Sequence, residues 1–119
     1  MTSSRSLRIE MHSAIELVLA ATLILLPSAV GLSASAAIVG FIAGAMLAGL
    51  ALSGTAPSGR GGLPLSAHAV YDWAMGTGLI CTGIVLGFAS GPTTLFVFLA
   101  AGMAELTLTA STSYSTSRA

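Results

Sequence analysis

The run from His12 to Gly31, HSAIELVLAATLILLPSAVG, limits what this chain can become more than any other stretch. Between Ser13 and Leu32 only Glu16 carries a charge. A helix rises about 1.5 Å per residue, so a run of this length just crosses a hydrocarbon core about 30 Å thick. Backbone polar groups in hydrocarbon must bond within their own segment, which makes a transmembrane helix the expected form. A related stretch returns as His68 to Gly87, HAVYDWAMGTGLICTGIVLG. Each copy opens on a histidine, places an acid four residues later (Glu16, Asp72) and runs apolar to a glycine. Each is followed by a short break and a second apolar segment. The spacing predicts an all-α fold, a four-helix transmembrane bundle built from two parallel two-helix repeats.

Composition narrows the function classes. Only 7% of the residues are charged and 55% are hydrophobic, for a formal net charge of zero. Soluble domains carry about a quarter charged residues, so the expected surroundings are a lipid bilayer. No basic surface is present to attract nucleic acid. Cys81 is the single cysteine and excludes an internal disulfide.

In chain order, the expected parts are a cytoplasmic N-terminal segment (1–11), a first hairpin (12–53), a linker (54–65), a second hairpin (66–110) and a polar, disordered tail (111–119). Pro27 removes one helical hydrogen bond and should kink or end the first helix. Gly40, Gly44 and Ala48 form a small-residue stripe on the second helix, and Gly83 and Gly87 repeat the spacing on the third. Such stripes let helix backbones approach closely in lipid, within one chain or between subunits. Tyr71 and Trp73 are expected at the headgroup layer. Arginines before the first run and the small residues Ala34-Ser35-Ala36 imitate a cleavable signal. The length of the run, its acid and its internal copy predict that it is retained.

Arg5 and Arg8 precede the first helix, Arg60 joins the second to the third, and Arg118 follows the fourth. With four spans these places share one side. The positive-inside rule then puts both termini in the cytoplasm, with the plasma membrane as the expected location.

The breaks after the first and third helices read LLPSAVGLS and GIVLGFAS. With the His/acid openings, this pattern resembles the SPW-repeat family of small bacterial membrane proteins. That family repeats a two-helix unit with an acid near its start and a Ser-Pro-Trp-like break before a glycine turn. Here the first copy keeps the proline without the tryptophan, and the second has Gly83 in the proline's place. The resemblance covers most of residues 10–110. It implies a membrane protein with no assigned chemistry and no catalytic residues.

His12 with Glu16, and His68 with Asp72, each lie one turn apart on a helix face. Glu105 lies near the same end of the fourth helix. All five ionisable groups therefore fall in one layer near the cytoplasmic side. Charged groups in lipid are costly and should face one another. Three readings of the layer are open. It is a hydrogen-bonded lock between the hairpins; or His12, Glu16, His68, Asp72 and Glu105 supply ligands for zinc or iron, or two histidines for haem; or Glu16 serves proton-coupled transport. No Ser/His/Asp set, phosphate loop or paired cysteines appear. The leading expectation is a non-enzymatic accessory or interaction subunit with no cofactor assigned. Its expected partners are the bilayer and either itself or another membrane protein.

Overall fold

The computed structural model describes residues 7–54 and 63–114. Four helices follow one another: α1 (Ile9–Ala29), α2 (Ala34–Gly54), α3 (Leu65–Ser90) and α4 (Pro92–Ala110). All four are long and apolar enough to cross a membrane. The fold is the expected all-α four-helix bundle, and the chain is a small multi-pass membrane protein. Most of the expected linker and the outer ends of both termini lie outside the described residues.

The helix ends follow from local chemistry. Pro27 sits in the last turn of α1, which ends two residues later. Its carbonyl accepts the Leu32 N–H at 2.8 Å, and the Val30 N–H bonds to Leu26 O at 2.9 Å. Gly31, at φ 75°, then reverses the chain. At the other turn Gly91, at φ 102°, closes α3, and Pro92 opens α4, where its fixed φ suits a first helical position. A side chain at Gly31 would meet nothing within 4 Å. Only the left-handed backbone penalises it, by about 1–2 kcal/mol. Gly31→Ala should therefore lower the melting temperature in detergent by a few degrees, and an unchanged midpoint would contradict the strained turn.

Lipid gives helices no hydrophobic reason to associate, so close packing must hold them together. Contact is extensive within each hairpin, α1 with α2 and α3 with α4. The hairpins meet more sparingly along α2/α3 and α1/α4, which leaves α1 and α3 on a diagonal. Gly40 rests on the Leu23 carbonyl and Pro27, and Gly44 on the Ala20 carbonyl and Ile24. The stripe on α2 is thus an internal contact. Gly83 and Gly87 likewise face Phe98 and Leu95 of α4. An equivalent close approach occurs in both hairpins: Gly44 sits on Ala20 O and Ile24, and Gly102 sits on Gly76 O and Ile80. Ser33 Oγ and Ser90 Oγ, 3.1 Å apart, join the two turns.

Burial runs opposite to that of a soluble domain. Val18, Leu25, Val85, Phe88 and Phe96 point outward, whereas His12, Glu16, His68, Asp72, Thr94 and Glu105 are fully buried. Leu23, Leu47, Leu79 and Phe98 fill the middle of the bundle. Apolar outside and ionisable inside is the arrangement hydrocarbon demands.

The tail departs from the disordered expectation over Ser111–Tyr114. Leu7 N–H donates to Ser111 O, and Ser113 N–H donates to Leu7 O, both at 2.9 Å. A polar segment without helical periodicity is ordered here because it finds partners at the far end of the chain.

Candidate metal centre

The i,i+4 spacing puts His12 and Glu16 on one face of α1, and His68 and Asp72 on one face of α3. Because α1 and α3 are diagonal, those faces look at each other across the bundle axis. They meet at the end opposite the two tight turns. Tyr71 and Trp73, flanking Asp72, point outward at the same level, a depth that suits aromatic rings near the headgroups.

The donor atoms converge. His12 Nε2 lies 2.9 Å from Asp72 Oδ2 and 3.6 Å from Glu16 Oε2. His68 Nε2 lies 3.2 Å from Asp72 Oδ2 and 3.6 Å from Glu16 Oε1. One ligand atom from each residue can be chosen so that all four fall within 4.8 Å of one another. Bonds of about 2.0–2.2 Å to a tetrahedral ion imply donor–donor edges of about 3.3–3.6 Å. The four measured contacts run from 2.9 to 3.6 Å and use both Glu16 oxygens, so they approach that spacing without forming its edges.

Several atoms of this cluster also lack hydrogen-bond partners. Both oxygens of Glu16, His68 Nε2 and Asp72 Oδ1 are buried without a hydrogen-bond partner among the described residues. Buried polar atoms in proteins are nearly always bonded. Apart from the close His12 Nε2–Asp72 Oδ2 pair, these buried ligand atoms have lone pairs that a shared cation could take.

Two residues beyond α4 shape the centre. The Thr112 hydroxyl donates its only proton to Leu108 O at 2.6 Å. It must therefore accept from His12 Nδ1–H, 2.8 Å away. That bond fixes the ring and leaves Nε2 facing the acids, the outer-shell pattern of metal-bound histidines. Tyr114 OH donates to Asp72 Oδ2 at 2.6 Å. Burial, reinforced by this bond to Asp72, holds the Tyr114 phenol above the usual tyrosine range, so it stays a donor. Its ring also stands against His12, with centroids 5.4 Å apart.

Glu105 is fully buried on α4 beside Glu16 and Asp72, with both oxygens unbonded among the described residues. It is not one of the four converging donors. The haem alternative fits poorly. The histidine rings are 5.7 Å apart, and Asp72 Oδ2 stands within 3.2 Å of both Nε2 atoms. A porphyrin between the rings would need the space that this oxygen fills.

Four of the five residues singled out from the sequence thus come together, and the fifth sits alongside. Thr112 and Tyr114 escaped notice. The available signal was an aromatic residue in an otherwise small and polar tail, just beyond the end of α4. Comparison with protein families, with characterised proteins and with solved structures finds no match to this chain.

Proposed function

We propose that this membrane protein binds a divalent transition metal, zinc or ferrous iron, through His12, Glu16, His68 and Asp72. The observation that carries the reading is the convergence of four fully buried ligands within 4.8 Å, with both Glu16 oxygens, His68 Nε2 and Asp72 Oδ1 lacking hydrogen-bond partners among the described residues. Two imidazoles and two carboxylates suit borderline metals such as zinc or iron rather than the all-oxygen preference of magnesium or calcium. Two carboxylates also cancel the charge of a divalent ion, which matters at the edge of a hydrocarbon core. The donors are completely buried, which suits an ion better than an organic substrate. The protein is accordingly read as non-catalytic: an accessory or interaction subunit in which the metal ties α1 to α3.

The finer features of this reading rest on sequence. The arginine distribution supports a plasma-membrane protein with both termini in the cytoplasm, which places the centre at the cytoplasmic end. The equivalent glycine contacts in the two hairpins support a duplicated two-helix unit of the SPW-repeat kind. Its own copies or another membrane protein are the proposed partners.

Metal analysis and visible absorption on the protein purified in mild detergent test the proposal. The expected result is about one zinc or iron per chain, no haem absorption, and loss of the metal in His12→Ala and in His68→Ala. A folded wild-type protein that holds no metal, even after incubation with zinc, would overturn it. The layer would then be a lock between hairpins.

A further inference from the structure

We infer that Ser111–Tyr114 form a strap that completes the metal centre, with Thr112 positioning His12 and Tyr114 positioning Asp72. The inference rests on the metal-binding reading and adds to it a part of the chain outside the membrane-spanning helices. Three independent features converge on this segment. First, its backbone is clamped to the start of α1 by the two Leu7 hydrogen bonds, so its side chains arrive at a defined height. Second, each polar side chain that reaches the centre bonds one ligand from each helix: Thr112 the α1 histidine and Tyr114 the α3 carboxylate. Third, the donors are fully buried although they lie in the first turns of α1 and α3, at the end opposite the two tight turns. The Tyr114 ring stands over both histidines, with centroids 5.4 Å from His12 and 6.0 Å from His68.

The physical role differs for the two residues. Thr112 is committed as an acceptor toward His12, because its own proton goes to Leu108 O. Without it, His12 Nδ1–H would have no partner and the ring could rotate its Nε2 away from the centre. Tyr114 spends its proton on Asp72 Oδ2, the oxygen nearest both histidines. That bond holds the carboxylate in the rotamer that aims at the ion. Neither residue needs to touch the metal. Both act by reducing the freedom of a ligand that does, and outer-shell partners of this kind typically change metal affinity by about 10–100-fold.

Cobalt(II) titration of the full-length protein in mild detergent tests the strap, because the d–d absorption of bound cobalt reports coordination geometry as well as affinity. Thr112→Val and Tyr114→Phe keep the size of each side chain and remove only the hydroxyl. Each should weaken cobalt binding by about 10–100-fold and alter the intensity or shape of the visible bands. Thr112→Ser, which restores the acceptor, should return both to near the wild-type values. Variants that bind cobalt with wild-type affinity and spectrum overturn the strap while leaving the metal centre intact. Weaker binding with an unchanged spectrum also overturns it, because a merely stabilising tail would give that result. A wild-type protein that binds neither cobalt nor zinc overturns the metal reading and the strap together.

Discussion

Asp72→Ala is expected to abolish metal binding and to destabilise the metal-free bundle by about 3–5 kcal/mol, the usual consequence of removing one partner from a buried charged cluster. The Asp72 carboxylate is shared by three side chains. Its Oδ2 lies within 3.2 Å of both histidine Nε2 atoms and accepts the Tyr114 hydroxyl at 2.6 Å. Truncation therefore strips a ligand from the metal, a counter-charge from two imidazoles and an acceptor from the phenol in one step. Asp72→Asn separates these effects. It keeps the shape and one acceptor oxygen but lowers the charge, so it should preserve more stability than metal affinity. Metal titration and thermal unfolding in detergent, run on both variants, measure the two losses. Wild-type metal content in Asp72→Ala would remove this residue from the ligand set.

The second large effect lies between helices. A Cβ on Gly44 would stand 2.7 Å from the Ala20 carbonyl oxygen and 2.6 Å from Ile24 Cγ1. One on Gly102 would stand 2.8 Å from the Gly76 carbonyl oxygen and 2.7 Å from Ile80 Cγ1. The carbonyls belong to helix backbone and cannot move aside alone, so the helices must separate. Gly44→Ala and Gly102→Ala should each cost about 1–3 kcal/mol, the range for overpacking a close contact. Gly49 and Gly78 supply the control, because a Cβ there meets nothing within 4 Å. Alanine at those positions should be neutral or stabilising by up to about 1 kcal/mol, since it has the better helix propensity. Thermal unfolding of the four variants reads the contrast directly. Equal effects at all four positions would mean that the glycines matter for helix propensity and not for interhelical contact.

Both predictions draw on features that are only partly legible in the sequence. The i,i+4 pairing of His12 with Glu16 and of His68 with Asp72 was legible because helical spacing is a local property. Once a segment is known to be a helix, its faces follow from counting. That Asp72 would sit nearer to His12 of the other hairpin than to His68, its own helix partner, was not legible. It depends on the relative height and rotation of α1 and α3, which packing sets. The glycine stripe was legible as a surface for close approach, but its partner was not. Small residues permit contact with any smooth helix, and only the packed bundle assigns Gly44 to Ala20 and Gly102 to Gly76.

The amino-acid sequence by itself determined that this protein has four apolar helices, where they break, and that its ionisable groups gather in one layer at one end. Those properties depend on hydrophobic length, on turn residues such as Gly31, Gly91 and Pro92, and on a 3.6-residue period, all local along the chain. The tertiary structure alone decided which four donors converge, that Glu105 stands beside them, and that Thr112 and Tyr114 of the tail bond His12 and Asp72. Thr112 meets His12 across 100 residues of sequence and Tyr114 meets Asp72 across 42. No local pattern encodes such contacts, because they exist only once the packed helices have brought both ends of the chain to the same end of the bundle.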